Sequence, residues 1–243
     1  MKRMMMLLVT VCLFQLTTLA QKKYEMVVEK TDGTEIVSNV EDIVQIYFRE
    51  RSSENPTDDM TITAVDLGLP SGTKWANANL AVSESKVYGG YYSWGETSEK
   101  SSYYWKDYQY GTSASNVVNI GNNISGTQYD VAQSLVGGAW QMPSYDDFTE
   151  LLNNCTYEWT TQNGVKGGLF TSKTNGKSIF FPAGGSWWDK TLHEVGKSGN
   201  YWSSSVSATP EGSAFVLYFD DEGADVDDPA PRADGNNIRP VCK

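Results

Sequence analysis

Groups able to do chemistry are sparse in this sequence and gather toward its C-terminal end. His193 is the only histidine among 243 residues, so a Ser/His or Cys/His nucleophile pair would have to use it. It sits in Thr191-Leu192-His193-Glu194, a polar stretch with no neighbouring cysteine, and the chain has no Gly-x-Ser-x-Gly elbow. An exposed loop histidine is the expectation, and catalysis is not. Seven acids, Asp220, Asp221, Glu222, Asp225, Asp227, Asp228 and Asp234, crowd residues 220–237 against the single Arg232. Carboxylates in that number suit a hard cation such as calcium, yet no Asp-x-Asp-x-Asp-Gly loop arranges them. A solvated acidic surface without a cofactor is the expected state.

Aromatic faces are the other means of binding. Trp187-Trp188 lies in Gly-Gly-Ser-Trp-Trp-Asp, and Tyr103-Tyr104-Trp105 forms a second cluster. Such rings stack on sugars and on protein side chains alike. The candidate contact face is therefore Trp187 and Trp188 with Asp220, Asp221, Asp225, Asp227, Asp228, Arg232, Asp234 and Asn236. Mutual repulsion should keep its acids exposed, and at least one indole of the flanked pair should be exposed too.

The elements that must hold these groups are short. Ala214–Phe219 alternates as a strand and leads into the acidic stretch. Ser144 N-caps a helix with Asp146 and Asp147 in its first turn, and Phe148, Leu151, Leu152 and Cys155 make one apolar stripe. A weaker helix is expected over 128–136, with Thr127 as N-cap and Gly137-Gly138 as the stop. After Asn163 the pattern is strand and turn, with turns at Asn163-Gly164 and Asn175-Gly176 before the strand Ser178–Pro182. Upstream, Met26-Val27-Val28, a turn at Asp32-Gly33 and Thr34–Val37 read as a small β unit, and Val40–Phe48 adds an apolar segment. The expected organisation is a leader over 1–20, a β module over 21–50, a linker over 51–60 and one domain over 61–243.

Lys2 and Arg3, an apolar run from Met4 to Leu16 and Thr18-Leu19-Ala20 compose a secretory signal, too short for a membrane span. Its removal would move the net charge from −11 to −13, since Lys2 and Arg3 leave with it. That balance disfavours nucleic acid and anionic membranes as partners. The expected location is secreted, periplasmic or cell-surface. Cys155 and Cys242 survive processing, and an oxidising compartment favours a disulfide between them, the alternative being two buried thiols.

Several ordered blocks resemble a known family. They are Val65-Asp66-Leu67-Gly68-Leu69-Pro70-Ser71-Gly72-Thr73-Lys74-Trp75-Ala76 with Asn79, then Tyr91-Tyr92-Ser93-Trp94-Gly95-Glu96-Thr97. Gly137–Ser144, Asn175–Gly185, Gly199–Ser204 and the closing Ile238-Arg239-Pro240-Val241 follow in order. Together they resemble the Fibrobacter succinogenes major paralogous domain of exported proteins from anaerobic gut bacteria. The likeness covers about residues 64–242. It implies an α+β, C-type lectin-like or formylglycine-generating-enzyme-like fold with two helices, small antiparallel sheets and long loops. It places Trp75, Trp94, Trp140 and Trp202 in the core. Gln141 stands where that family usually has Arg. Ala78 stands where many members have Cys, which leaves Cys155–Cys242 as the only intrachain pair. The Glu-Pro-Asn, Gln-Pro-Asp and Trp-Asn-Asp tripeptides of sugar-binding C-type lectins are absent, as is the copper-binding cysteine motif of the related enzymes.

The function these features imply is an exported, non-catalytic binding module that presents C-terminal loops to a glycan or protein ligand. One alternative is a structural or surface-assembly part whose N-terminal module docks on a surface-protein partner. Another is a binding protein diversified by a retroelement: all thirteen residues from Asp225 to Asn237 are reachable from an Asn codon by changing its first two bases.

Overall fold

In this computed structural model the described residues are 25–29, 35–39, 62–81, 87–226 and 228–243. The leader, the Asp32-Gly33 turn, the apolar segment 40–48, most of the linker and Asp227 lie outside them. The chain divides into two compact units between Glu54 and Asn55, inside the stretch expected to be a linker. Of the first unit, β1 (Glu25–Glu29) and β2 (Glu35–Asn39) are described, an antiparallel pair in which Val27 faces Val37.

Among the described residues the second unit has two short α-helices and several small antiparallel sheets. Along the chain run β3 (Ala64–Val65), β4 (Lys74–Ala76), β5 (Gly111–Ser113), β6 (Asn116–Val117), α1 (Val131–Leu135), β7 (Trp140–Gln141) and α2 (Tyr145–Asn154). Then come β8 (Cys155–Gln162), β9 (Val165–Ser172), β10 (Ser178–Pro182), β11 (Ser186–Trp188), β12 (Thr191–His193), β13 (Gly199–Ser207), β14 (Ser213–Phe219), β15 (Ala224–Asp225), β16 (Pro229–Pro231) and β17 (Val241–Cys242). The architecture is mixed α and β, with few helices and small sheets.

Helix α2 begins as its sequence dictates. The Ser144 side chain accepts from the Asp147 N–H and the Asp147 carboxylate accepts from the Ser144 N–H, a reciprocal capping box. Phe148 and Leu151 are fully buried beneath it. Helix α1 differs from expectation. It is shorter, and its N-cap is Asp130 rather than Thr127. The fully buried Asp130 carboxylate accepts from the N–H groups of Gly126, Ala132, Gln133 and Met142. An aspartate that satisfies four donors caps better than a threonine hydroxyl, which here bonds back to the Ile124 carbonyl. The Asn163-Gly164 turn between β8 and β9 has both residues at positive φ, 51° and 81°, as a two-residue hairpin requires.

The β13–β14 pair stands between two apolar clusters. Side chains alternate across a strand, so Tyr201 and Leu217 enter one cluster with Trp75, Phe148, Phe170, Phe181 and Phe219. Their neighbours Trp202 and Val216 enter the other with Leu80, Tyr92, Trp94, Met142 and Ile238. Trp75, Trp94 and Trp202 are wholly buried, but Trp140 is not. It lies on β7, an edge strand of the β3–β4–β17–β7 sheet, where one face meets solvent.

Threaded between these clusters is the chain's last segment. Asn236 pairs with Tyr92, Asn237 bonds to the backbone of Asn200 and Trp202, and Ile238 accepts from the Leu80 N–H. Val241 then sits centrally between Trp75 of β4 and Gln141 of β7. Arg239 is 1 % exposed and gives Nε to the Asn79 Oδ1 at 2.8 Å, Nη1 to the Ala76 carbonyl at 3.0 Å and Nη2 to the Phe180 carbonyl at 2.6 Å. Its guanidinium lies 4.5 Å from the Phe181 ring centroid. Burial lowers its pKa to about 10, against the support of Tyr201. Among the described residues no carboxylate pairs with it, and carbonyl dipoles and a ring face hold the charge. No helix among the described residues is long and apolar enough to cross a membrane.

Candidate functional site

Three segments make a small aromatic wall. Residues 235–237 run between Tyr92 and Trp187 as if a middle strand: Asn236 exchanges backbone bonds with Tyr92 at 3.0 and 3.1 Å, and Gly235 with Trp187 at 2.8 Å in both directions. The Tyr103 ring packs on Gly235, where a Cβ would come within 2.3 Å of it, so only glycine fits. Its rim is fixed by Tyr88-Gly89-Gly90-Tyr91. Gly89 has φ +84° and meets Asn79 so closely that a Cβ would lie 2.6 Å from its side chain. Asn79 in turn bonds the Tyr88 carbonyl and the Tyr201 hydroxyl, each at 2.8 Å. The Arg239 network therefore reaches the cleft wall through Asn79.

Between these segments lies a cleft of about 640 Å³, lined by Val87, Tyr88, Tyr91, Tyr103, Trp187 and Leu192, with Glu99, Lys100 and Ser101 at its polar side. Trp187 meets Tyr103 at 5.8 Å and Tyr91 edge-on at 6.4 Å. The Tyr91 hydroxyl donates to the Gly184 carbonyl at 2.6 Å, and the Tyr103 hydroxyl to the Tyr91 carbonyl at 2.8 Å. Burial, before any neighbouring charge, pushes both phenols above their ordinary pKa, so they stay neutral. Glu99 accepts from the Tyr91 N–H at 3.1 Å. Lys100 pairs with Glu96 at 2.7 Å, donates to the Asp107 carbonyl at 3.1 Å and lies 5.4 Å from the Tyr103 centroid. The cleft therefore presents ring faces while most of its polar atoms are engaged inward.

The expected contact face does not hold together as one surface. Trp187 is a half-buried cleft wall, and Trp188 is 41 % exposed, stacked on His193 at 3.6 Å and 6°. The lone histidine is thus a ring partner of an indole. Half-buried Asp234 faces the exposed Asp189, a residue at φ 57° that accepts the Tyr103 N–H through its backbone carbonyl. Burial, then the Asp189 charge, raises the Asp234 pKa to about 7. Asp225, on β15, and Asp221 and Asp228, on either side of it, are exposed. Asp220 is built into that turn: it accepts from Glu222 N–H, Gly223 N–H and the Tyr218 hydroxyl. Against the upward push of its slight burial, these bonds hold its carboxyl below the ordinary range.

Arg232 and Asn236 are corrections. Arg232 is 6 % exposed, with Nε 3.4 Å from the Ser213 carbonyl and its guanidinium 4.7 Å from the Trp94 centroid. Pairing of β16 with β14 carries the chain inward, and the Trp94 face receives the cation. Asn236 is 1 % exposed, and neither of its amide atoms has a partner among the described residues. Repulsion among the acids does not decide where these two go; backbone pairing does, of Arg232 with Gly212 and Trp94 and of Asn236 with Tyr92.

Sequence reading missed Tyr88, Tyr91, Glu99, Lys100 and Leu192 as wall residues. The signal was present in Gly89-Gly90 before Tyr91-Tyr92, since paired glycines mark a close backbone approach. Cys155, buried at the C-cap of α2, and the half-buried Cys242 are free thiols in this structure. Burial pushes the Cys155 thiol up to about 11, far from a reactive thiolate. Among the described residues no three His, Cys, Asp or Glu side chains gather as a metal would require. No protein-family model, curated protein or solved structure matches this chain.

Proposed function

We propose that this chain is an exported, non-catalytic binding module of C-type lectin-like character whose cleft between Tyr88 and Trp187 engages a glycan or protein ligand. The observation that carries the reading is a half-open cleft in which the half-buried Tyr88, Trp187 and Leu192 stand over the buried Tyr91 and Tyr103. A part with only a scaffolding role has no reason to leave Tyr88 and Trp187 reachable, whereas large aromatics in a concave site are the usual anchors of recognition. The resemblance of its sequence blocks to the Fibrobacter succinogenes major paralogous domain supports both the export and the fold. Non-catalysis is supported by His193, which is stacked on Trp188, and by the un-ionised Cys155 thiol.

Diversification of 225–237 by a retroelement finds less support. Arg232, Ala233, Asn236 and Asn237 are buried and Gly235 has no room for a side chain, so free variation there would break the fold. Screening the purified protein on glycan and protein arrays, with and without calcium, tests the reading. Saturable binding that is insensitive to calcium is expected. Absence of any ligand on both arrays would favour the surface-assembly alternative.

A further inference from the structure

We infer that the cleft receives an aromatic or large aliphatic side chain from a protein segment with flanking basic residues, and not a sugar ring; this rests on the binding reading above. A sugar carries a hydroxyl on most ring carbons, so a site for it needs unspent donors and acceptors beside the stacking face. Here the Tyr91 and Tyr103 hydroxyls are spent on the Gly184 and Tyr91 carbonyls, and Lys100 on Glu96 and the Asp107 carbonyl. One Glu99 oxygen already holds the Tyr91 N–H. Among the described residues of the walls, the Trp187 indole N–H and the Tyr88 and Ser101 hydroxyls remain. That set has no planar carboxylate or amide free to grip two neighbouring hydroxyls. An apolar side chain needs none, and Tyr91, Tyr103, Trp187 and Leu192 offer it a desolvated seat.

Charge selects the flanks of that segment. The chain is −11 overall. Beside the cleft Lys100 is neutralised by Glu96 at 2.7 Å, and the exposed Asp189 lies beyond Trp187 and Tyr103 without a cationic partner among the described residues. Lysines or arginines on either side of the anchoring side chain would meet this field.

The test follows the Trp187 indole N–H by NMR in the purified protein while blocked pentapeptides Gly-Lys-Trp-Lys-Gly, Gly-Glu-Trp-Glu-Gly and Gly-Lys-Ser-Lys-Gly and a set of methyl glycosides are added. Val87→Arg is the blocking variant, since Val87 is 58 % exposed at the mouth of the cleft. The Lys-Trp-Lys peptide should shift Trp187, bind about tenfold more tightly than the Glu-Trp-Glu peptide and lose its effect in the variant. The Ser peptide and the glycosides should leave Trp187 unmoved. If a glycoside shifts Trp187 and the variant abolishes it, this inference falls while the binding reading stands. If the Glu-Trp-Glu peptide binds as well as the Lys-Trp-Lys peptide, the charge argument falls. If nothing shifts Trp187 while the arrays yield a ligand, the inference falls and the binding reading stands; if the arrays are empty as well, both fall.

Discussion

The acids Asp220, Asp221, Asp225 and Asp228 and the segment 232–239 lie close in sequence, are both polar and charged, and end in opposite surroundings. The first stretch turns back at Asp220, which bonds its own turn, and leaves Asp221 and Asp228 in solvent. The second passes Trp94, Tyr92 and Trp187 and buries Arg232, Asn236, Asn237 and Arg239. What separates them is where backbone partners exist. A strand that can pair on both sides enters the core even with polar side chains, provided ring faces and carbonyls receive them. A turn that can satisfy itself locally stays outside.

If this comparison is right, the largest stability effect lies in the buried stretch. Arg239→Met strands the Ala76 and Phe180 carbonyls and the Asn79 amide in the core. A loss of about 3 kcal/mol or more in denaturant unfolding is expected, and Arg239→Lys should recover only part of it, because a point charge cannot reach three acceptors. A loss below about 1 kcal/mol would mean the segment is not anchored by this residue.

Export would reinforce the same stretch covalently. If the chain is exported as proposed, Cys155 and Cys242 are expected to be bridged, adding about 2–4 kcal/mol. Alkylation followed by intact-mass measurement should then find neither thiol; two reactive thiols would leave β17 held by pairing alone.

Asp234 lies between the two regimes and adds a pH dependence. Its folded pKa of about 7 exceeds the usual 3.8. The folded state therefore holds this proton more tightly, and the stability that goes with it is full below about 3.8 and lost as the pH rises to about 7. Asp234→Asn should match the wild type in Tm near pH 3.5 and exceed it at pH 8, by about 1–2 kcal/mol once screening by solvent at the exposed Asp189 is allowed for. Equal melting at pH 8 would show that Asp234 is solvated like the turn acids.

The smallest effect belongs to the turn itself. Asp221→Ser with Asp228→Ser should change stability by less than about 0.5 kcal/mol, as exposed substitutions usually do. A larger loss would make the acidic turn structural.

The parts of this fold legible in sequence are those governed by short-range rules. Ser144 with Asp147 announced α2, and Asn163-Gly164 announced its hairpin. Burial of Phe148 and Leu151 followed from helical period. Long-range pairing was not legible: nothing near Arg232 or Asn236 names Trp94 or Tyr92 as a partner more than a hundred residues away. Composition therefore suggested a single acidic face, and the cleft that replaces it is assembled from segments around 88–103, 187–192 and 235.

The most direct test of the account sets the cleft against the acidic turn. The affinity of an array-identified ligand would be measured by calorimetry for the wild type, Val87→Arg, and the Asp221→Ser, Asp228→Ser double variant. The account predicts a loss of about tenfold or more for Val87→Arg, from one blocked anchor, and a change within about twofold for the double variant, since exposed charges contribute little to affinity. Full affinity in Val87→Arg with binding lost in the double variant would contradict it and return recognition to the acidic turn.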